Sequence, residues 1–362
     1  MLTRGMHAIR SSSPLLDQVM TFDRNGFAPV TALRSAIGVV VALSIGMAFE
    51  SPSVGIAAAA GAYNAATASV SRGSHGSVRM MAGAGIGLSA CACLGSLTAD
   101  HPLERLIVIS LLALLFGLLT ESGLASPPVA TQSLIGFVLL GHLPLALHDG
   151  LLLAGEILLG CAGQILILLL FPLSGSRGSL PVQLQPWPFQ SAATAFTRSL
   201  AVLRAAPSQT RWHAARSSIA IVLAELLAIP LSGVHGYWIG LTVIVVLKSD
   251  WSTTVRQVLA RWSGTLLGVI PASIVLTLIH PRGALLVLLI GLIAWAALAV
   301  FQANYALFCV FLSVYVVLSL DVVFETPSSA AADRLLETTI GVILALAVFA
   351  VIRPLPWRHP AA

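Results

Sequence analysis

Twelve apolar runs, set apart by short polar turns, constrain this chain more than any other feature. They fall near 29–49, 54–69, 79–98, 104–119, 129–147 and 150–172, and again near 216–232, 236–248, 258–279, 283–301, 304–320 and 331–353. With 57% hydrophobic and 9% charged residues, the chain cannot cover a water-facing surface, because a globular domain is roughly a quarter charged. In hydrocarbon every backbone polar group must be satisfied internally, so spanning segments are helices or closed barrels. The runs are rich in Leu and Ala and lack the period-two alternation of barrel strands. The expected fold is an all-α integral membrane protein of about 12 transmembrane helices.

Basic residues orient those helices. With the N-terminus inside, only Arg105, Arg282 and Arg334 of the 19 Lys and Arg residues fall in outside segments, while acids such as Glu50, Asp100, Glu104 and Asp321 gather there. That is the positive-inside pattern, with both termini cytoplasmic. The net charge of +5 then marks contact with anionic inner-leaflet lipid rather than nucleic acid. About 28 polar or mixed residues precede the first run, so it is expected to remain as a membrane helix rather than be cleaved as a signal.

A shift of 182 residues superposes several landmarks. Arg34 falls on Arg216, with "RSAIGVVVA" on "RSSIAIVLA"; Arg79 falls on Arg261 and Pro172 on Pro354. Glu156 with Gly160 matches Glu337 with Gly341 after a one-residue gap. These matches point to an internal duplication, two six-helix repeats in the same orientation about an axis along the membrane normal. The expected organisation is a cytoplasmic N-terminal segment (1–28), a first repeat (29–172), a cytoplasmic linker (173–212), a second repeat (213–353) and a short tail (354–362). Within the linker, Phe189, Phe196, Leu200 and Leu203 recur at a helical spacing that suits an amphipathic helix on the membrane surface. The segment "SSSPLLDQVMTF" near the N-terminus suits the same role.

An ionised side chain at the centre of a spanning helix costs about 3 kcal/mol, so polar groups there need a reason. Glu225 lies nine residues beyond Arg216, roughly 13 Å along a helix entering at that arginine. It is the leading candidate for a proton-coupling acid, with Glu337 and Glu156 behind it. Glu337 has Arg334 at i−3 on the same helix face. Arg79 and Arg261 each precede closely spaced glycines, "RMMAGAGIG" and "RWSGTLLG", which let helices approach closely. Each arginine can hold backbone carbonyls, lipid phosphate or a substrate carboxylate. Lys248, the only lysine, lies with Asp250 and Arg256 near a cytoplasmic turn. The runs 54–69 and 236–248 are short for a crossing, which suits either broken helices lining a cavity or short tilted helices. Cys91, Cys93, Cys161 and Cys309 lie in apolar runs and read as buried thiols. No Walker loop, HExxH or nucleophile elbow occurs, so neither an enzyme, nor a cofactor, nor a metal site is expected.

Trp238, the "GLT" ending at Thr242, Arg256 and "RWSGTLLG" with Arg261, Gly264, Thr265 and Gly268 resemble the fusaric acid resistance family, the aromatic acid exporters of the bacterial inner membrane. Tyr305 in "NYALFCVFLSVYVVL", and Arg334, Thr338, Thr339 and Gly341 in "RLLETTIG", extend the resemblance over roughly 216–353. It implies secondary export of aromatic carboxylates and related weak acids, driven by the proton gradient. Larger members carry an extensive cytoplasmic domain where this chain has a 40-residue linker, and some work with a periplasmic adaptor. The expected substrate-binding set is Lys248, Arg256, Arg261, Arg79, Trp238, Thr242 and Tyr305. The expected partners are a small organic anion, protons and membrane lipid, with a periplasmic adaptor or a homo-oligomer left open. A passive organic-anion channel and a non-transporting membrane scaffold are the competing readings.

Overall fold

A computed structural model describes residues 19, 21–70, 78–121, 126–171, 208–231, 236–324 and 327–352. Most of the linker, the N-terminal segment and the tail lie outside these residues, and with them both proposed surface helices. Twelve helices and no strand occur among the described residues: α1 (Pro29–Ala48), α2 (Pro52–Val70), α3 (Val78–Leu97), α4 (Pro102–Glu121), α5 (Pro127–Ile135), α6 (Leu147–Leu170), α7 (Ser208–Ala228), α8 (Tyr237–Val246), α9 (Trp251–Ile279), α10 (Gly283–Val300), α11 (Tyr305–Phe324) and α12 (Pro327–Val351). Five of them open on proline, whose fixed φ and missing N–H suit the first helical position. Eight helices are long and apolar enough to cross a membrane, and α5 and α8 are shorter apolar helices. Leu159, Leu278 and Ile343 turn outward from the bundle, as expected where the surrounding medium is hydrocarbon. The chain is a multi-pass helical membrane protein.

Four boundaries differ from the sequence reading. The run at 54–69 is a full helix of 19 residues, low in hydropathy because it is built of Ala, Gly, Ser and Thr. Those small residues bring neighbours to backbone contact: a Cβ on Gly61 would strike the Ile157 carbonyl of α6. The run at 129–147 ends at Leu140, because α5 widens into a π turn over Gly136–Leu140. Gly136 there abuts the Leu88 carbonyl of α3, and Gly141 abuts Gly95. Helix α9 starts seven residues early, at Trp251, because Asp250 caps it by accepting from Thr253 N at 2.7 Å. Finally, α7 begins at Ser208, eight residues before Arg216.

Packing in the two halves follows one pattern. In the first, α1 packs on α2 and α6, α2 on α3 and α6, α3 on α5 and α6, and α4 on α5. In the second, α7 packs on α8 and α12, α8 on α9 and α12, α9 on α11 and α12, and α10 on α11. Two seams join the halves, α4 against α7 and α1 against α10. Glycines recur at matching joints, with Gly160 against the Ala58 carbonyl in the α6–α2 joint and Gly341 against Ile239 and Thr242 in the α12–α8 joint.

On α9, Gly264 meets Cys309 and Ala306, and Gly268 meets the Val310 carbonyl and Ser313. Gly268→Ala should therefore cost roughly 1–3 kcal/mol by forcing α9 from α11. Gly163 of α6 has nothing within 4 Å of an added Cβ, so Gly163→Ala should be neutral or stabilise by up to about 1 kcal/mol. Thermal unfolding in detergent measures both, and equal shifts would contradict this packing.

Candidate functional site

The second half encloses a polar centre. Arg261 of α9 and Arg334 of α12 are 2% and 1% exposed. Neither forms an ion pair within 4.0 Å among the described residues, where the carboxylate pairs are Arg105–Glu225 and His148–Asp149. Nε and one terminal nitrogen of Arg261, and all three guanidinium nitrogens of Arg334, are buried without a hydrogen-bond acceptor. Arg334 lies over the Trp238 ring at 4.2 Å, a cation–π contact that offsets part of its desolvation. Arg261 lies within electrostatic reach of Tyr63, Tyr305, Cys309 and Arg334. Glu337 lies within electrostatic reach of Arg334 without bonding its guanidinium; two buried cations side by side remain costly, and a planar anion accepting several N–H bonds is the chemistry that satisfies them.

Surrounding groups fit such a guest. Most buried Ser and Thr hydroxyls here donate back to their own helix, as Ser89 does to Gly85 O and Ser263 to Leu259 O. Thr242, Thr265 and Ser313 are wholly buried, yet their hydroxyls bond nothing. The Tyr63 hydroxyl and the Trp238 indole N–H are likewise without partners, and the Tyr305 hydroxyl has only the weak Cys309 thiol beside it. Tyr63 stacks on Tyr315 with centroids 4.5 Å apart, so an aromatic wall reaches in from α2 of the other half. Glu337, 4% exposed, receives the Trp238 backbone N–H and keeps Oε2 unbonded.

Of the expected substrate set, the structure gathers Arg261, Trp238, Thr242 and Tyr305 here and leaves three outside. Arg79 is exposed in the first turn of α3, unlike Arg261, which lies ten residues into α9. The register that matches the two arginines does not extend to their burial. Arg256 is half-buried in the second turn of α9 and donates to Thr253 Oγ1 at 3.1 Å. Lys248 lies in the α8–α9 turn, where burial pushes its ammonium down to about 8. Asp250, beside it, is held below the usual carboxylate range by the Thr253 N–H. Arg334, absent from the expected substrate set, was marked in the sequence by the "RLLETTIG" motif and as a neighbour of Glu337 on one helix face.

The three acids diverge too. Glu225 is not nine residues into its helix but in the last turn of α7, and it is not alone. Its Oε2 accepts from Arg105 Nε at 2.8 Å, each side chain 11% exposed. Arg105 also donates to the carbonyls of Gly95 at 3.1 Å and Gly141 at 2.9 Å, tying α4 to the ends of α3 and α5. Glu156 is half-buried, unlike its sequence counterpart Glu337. Two further arginines hold framework: Arg34 donates to Phe171 O, which ends α6, and Arg216 donates to Ser249 O and lies 4.0 Å over the Phe349 ring of α12.

The Arg105–Glu225 pair bridges one seam between the halves. The residues 182 positions away, Leu43 and Val287, sit in the apolar cluster of the other seam. Glu225→Leu alone should strand a buried guanidinium and cost roughly 3 kcal/mol. Joined with Arg105→Val it should recover most of that loss, because an apolar pair of matching volume replaces the ions. Thermal unfolding of both single variants and the double variant measures the coupling, and additive losses would show that the pair does not act as a unit.

Residues 219–348 match the family model described as fusaric acid resistance protein-like. Three bacterial relatives match by sequence, all uncharacterized. One from Haemophilus influenzae is 32% identical over 41% of this chain and 20% of its own length. YhfK of Escherichia coli is 27% identical over 37% of this chain and 19% of its own, and a Synechocystis protein is 33% identical over 35% and 16%. The chain therefore spans about a fifth or less of the curated relatives it matches. No solved structure is a significant match. The matched segment runs from α7 into α12 and contains every residue of the buried two-arginine centre except Tyr63, so the centre falls in the part of this multi-pass membrane protein that is similar to the fusaric acid resistance protein-like family.

Proposed function

We propose that the protein is a bacterial inner-membrane carrier that exports small organic acids, aromatic ones foremost, coupled to protons. The observation that carries this reading is the pair of buried guanidinium groups, Arg261 and Arg334, whose nitrogens lack acceptors. A carboxylate between them offsets one of the two positive charges and takes several charge-assisted hydrogen bonds. Trp238, Tyr305 and Tyr63 supply flat apolar walls for the body of the acid, and Thr242, Thr265 and Ser313 supply hydroxyls. The similarity of residues 219–348 to the fusaric acid resistance protein-like family supports the same substrate class.

Coupling is assigned to Glu225, with Glu337 as a second proton site beside the arginines. Protonation of Glu225 removes the charge that holds Arg105 and frees the α4–α7 seam to move. The recurrent packing of the two halves supports an internal repeat, with one half rocking against the other and both termini cytoplasmic. The apolar α1–α10 seam then serves as the hinge and the ionic seam as the latch.

Uptake of benzoate and related aromatic acids into proteoliposomes, with and without an imposed pH gradient, tests the reading. Wild type should accumulate the acid only when the gradient is present. Arg261→Met should lower the rate at least about tenfold, equivalent to 1.4 kcal/mol. Glu225→Gln should uncouple flux from the gradient. Flux that persists in wild type after the gradient is collapsed would identify a passive channel instead, and unchanged pH-dependent transport by Glu225→Gln would remove Glu225 from the mechanism.

A further inference from the structure

A cavity of about 270 Å³ lies on the far side of α8 from the two arginines, bounded by α4, α5, α7 and the α8–α9 turn. Its floor is apolar, with Phe116, Leu134 and Ile221, and Lys248 stands at its rim beside Thr131 and Ser217. Among the described side chains that line it there is no carboxylate. The Lys248 ammonium pairs with no acid within 4.0 Å among the described residues. At the base of α4, the Thr120 hydroxyl is buried without a hydrogen-bond partner.

Helix α8 separates this cavity from the buried centre. Trp238 and Thr242, four residues apart, turn toward the arginines, while Val243 and Leu247, also four apart, line the cavity. A single cation above an apolar floor suits a molecule with one anionic group and an apolar body of about one ring. The two sites differ in grip. A lysine is a strongly hydrated point charge, whereas paired arginines offer fixed forks of donors.

We propose that this cavity is a second, weaker binding site for a small amphipathic carboxylate, which is captured on Lys248 before it passes α8 to Arg261 and Arg334. The inference rests on the transport reading above and divides its substrate path into two steps. The groups facing Lys248 fix its pH behaviour. Across the cavity α7 presents His213, Arg216 of the same helix reaches the Ser249 carbonyl, and among the described side chains α4 and α5 contribute no charged lining residue. On its own side of the cavity, Asp250 and Arg256 are engaged with Thr253. Lys248, pushed down to about 8 by burial, therefore carries most of its charge at pH 7 and little at pH 9. Capture weakens across that interval.

Equilibrium binding of radiolabelled benzoate to the full chain, in nanodiscs of zwitterionic lipid only, provides the test. Wild type should bind at two components, and the weaker should fall about tenfold between pH 7 and pH 9, as expected for a cation titrating near 8. Lys248→Met should remove the weaker component and leave the tighter one. Lys248→Arg should keep the weaker component and abolish its loss at pH 9, which separates a charge requirement from misfolding. Arg261→Met should remove the tighter component alone. A single component insensitive to Lys248→Met overturns this inference and leaves the transport reading standing; no binding by wild type overturns both. Displacement of the weaker component by anionic lipid added to the nanodiscs, with benzoate unable to compete, would assign the cavity to a lipid headgroup and overturn the inference.

Discussion

Inside an apolar bundle no water is at hand to satisfy a polar group, so each such group must find its partner in the protein or bind one. That constraint makes the backbone helical and turns Ser and Thr hydroxyls back onto their own helices, as at Ser35, Ser96 and Ser273. It also ranks the arginines. Arg34 and Arg216 hold carbonyls at the ends of other elements, with Arg216 also against a ring. Arg105 has a carboxylate and two carbonyls. Arg261 and Arg334 have most of their nitrogens left over, and in a medium of low dielectric that remainder is a demand for an anion.

Close helix contact determines where that demand is met. Glycines at 264, 268 and 341 let α9 reach α11 and α12 reach α8 at backbone distance. The polar faces of four helices then converge without room for long side chains between them. Small residues on α2 serve the same purpose in the first half, where α2 is held between α1, α3 and α6 and carries Tyr63 to the edge of the centre. The two seams between the halves have opposite character. One is sealed by a buried apolar cluster, the other is fastened by Arg105 and Glu225. An apolar seam depends on shape alone, whereas an ion pair depends on both of its charges, so the asymmetry sets the electrostatic contact on one side of the molecule.

Much of the architecture was legible in the sequence. Run lengths and composition indicated the twelve helices of the described residues, and of the residues singled out from a shared motif Trp238 lies against Arg334 and Tyr305 within reach of Arg261. Other positions were misplaced for identifiable reasons. The depth of Glu225 was measured from Arg216, but α7 starts at Ser208 because polar residues lengthen a helix beyond its apolar run. Arg79 was matched to Arg261 by register, yet register fixes neither how far a helix extends before an arginine nor what covers it. The break of α5 has no strong breaker at its site; it arises where Gly136 and Gly141 press on α3.

By itself the sequence determined that this is a helical membrane protein, where the helices of the described residues run and which half carries the family resemblance. Hydropathy and periodicity are sums over neighbouring residues, so each run reports its own state wherever it packs. Which charges meet was decided by tertiary structure alone. The bond from Arg105 to Glu225 spans 120 residues of chain, and Arg334 reaches Trp238 from four helices away. Such pairings depend on which faces the glycines bring together, and no local property of either segment encodes its partner.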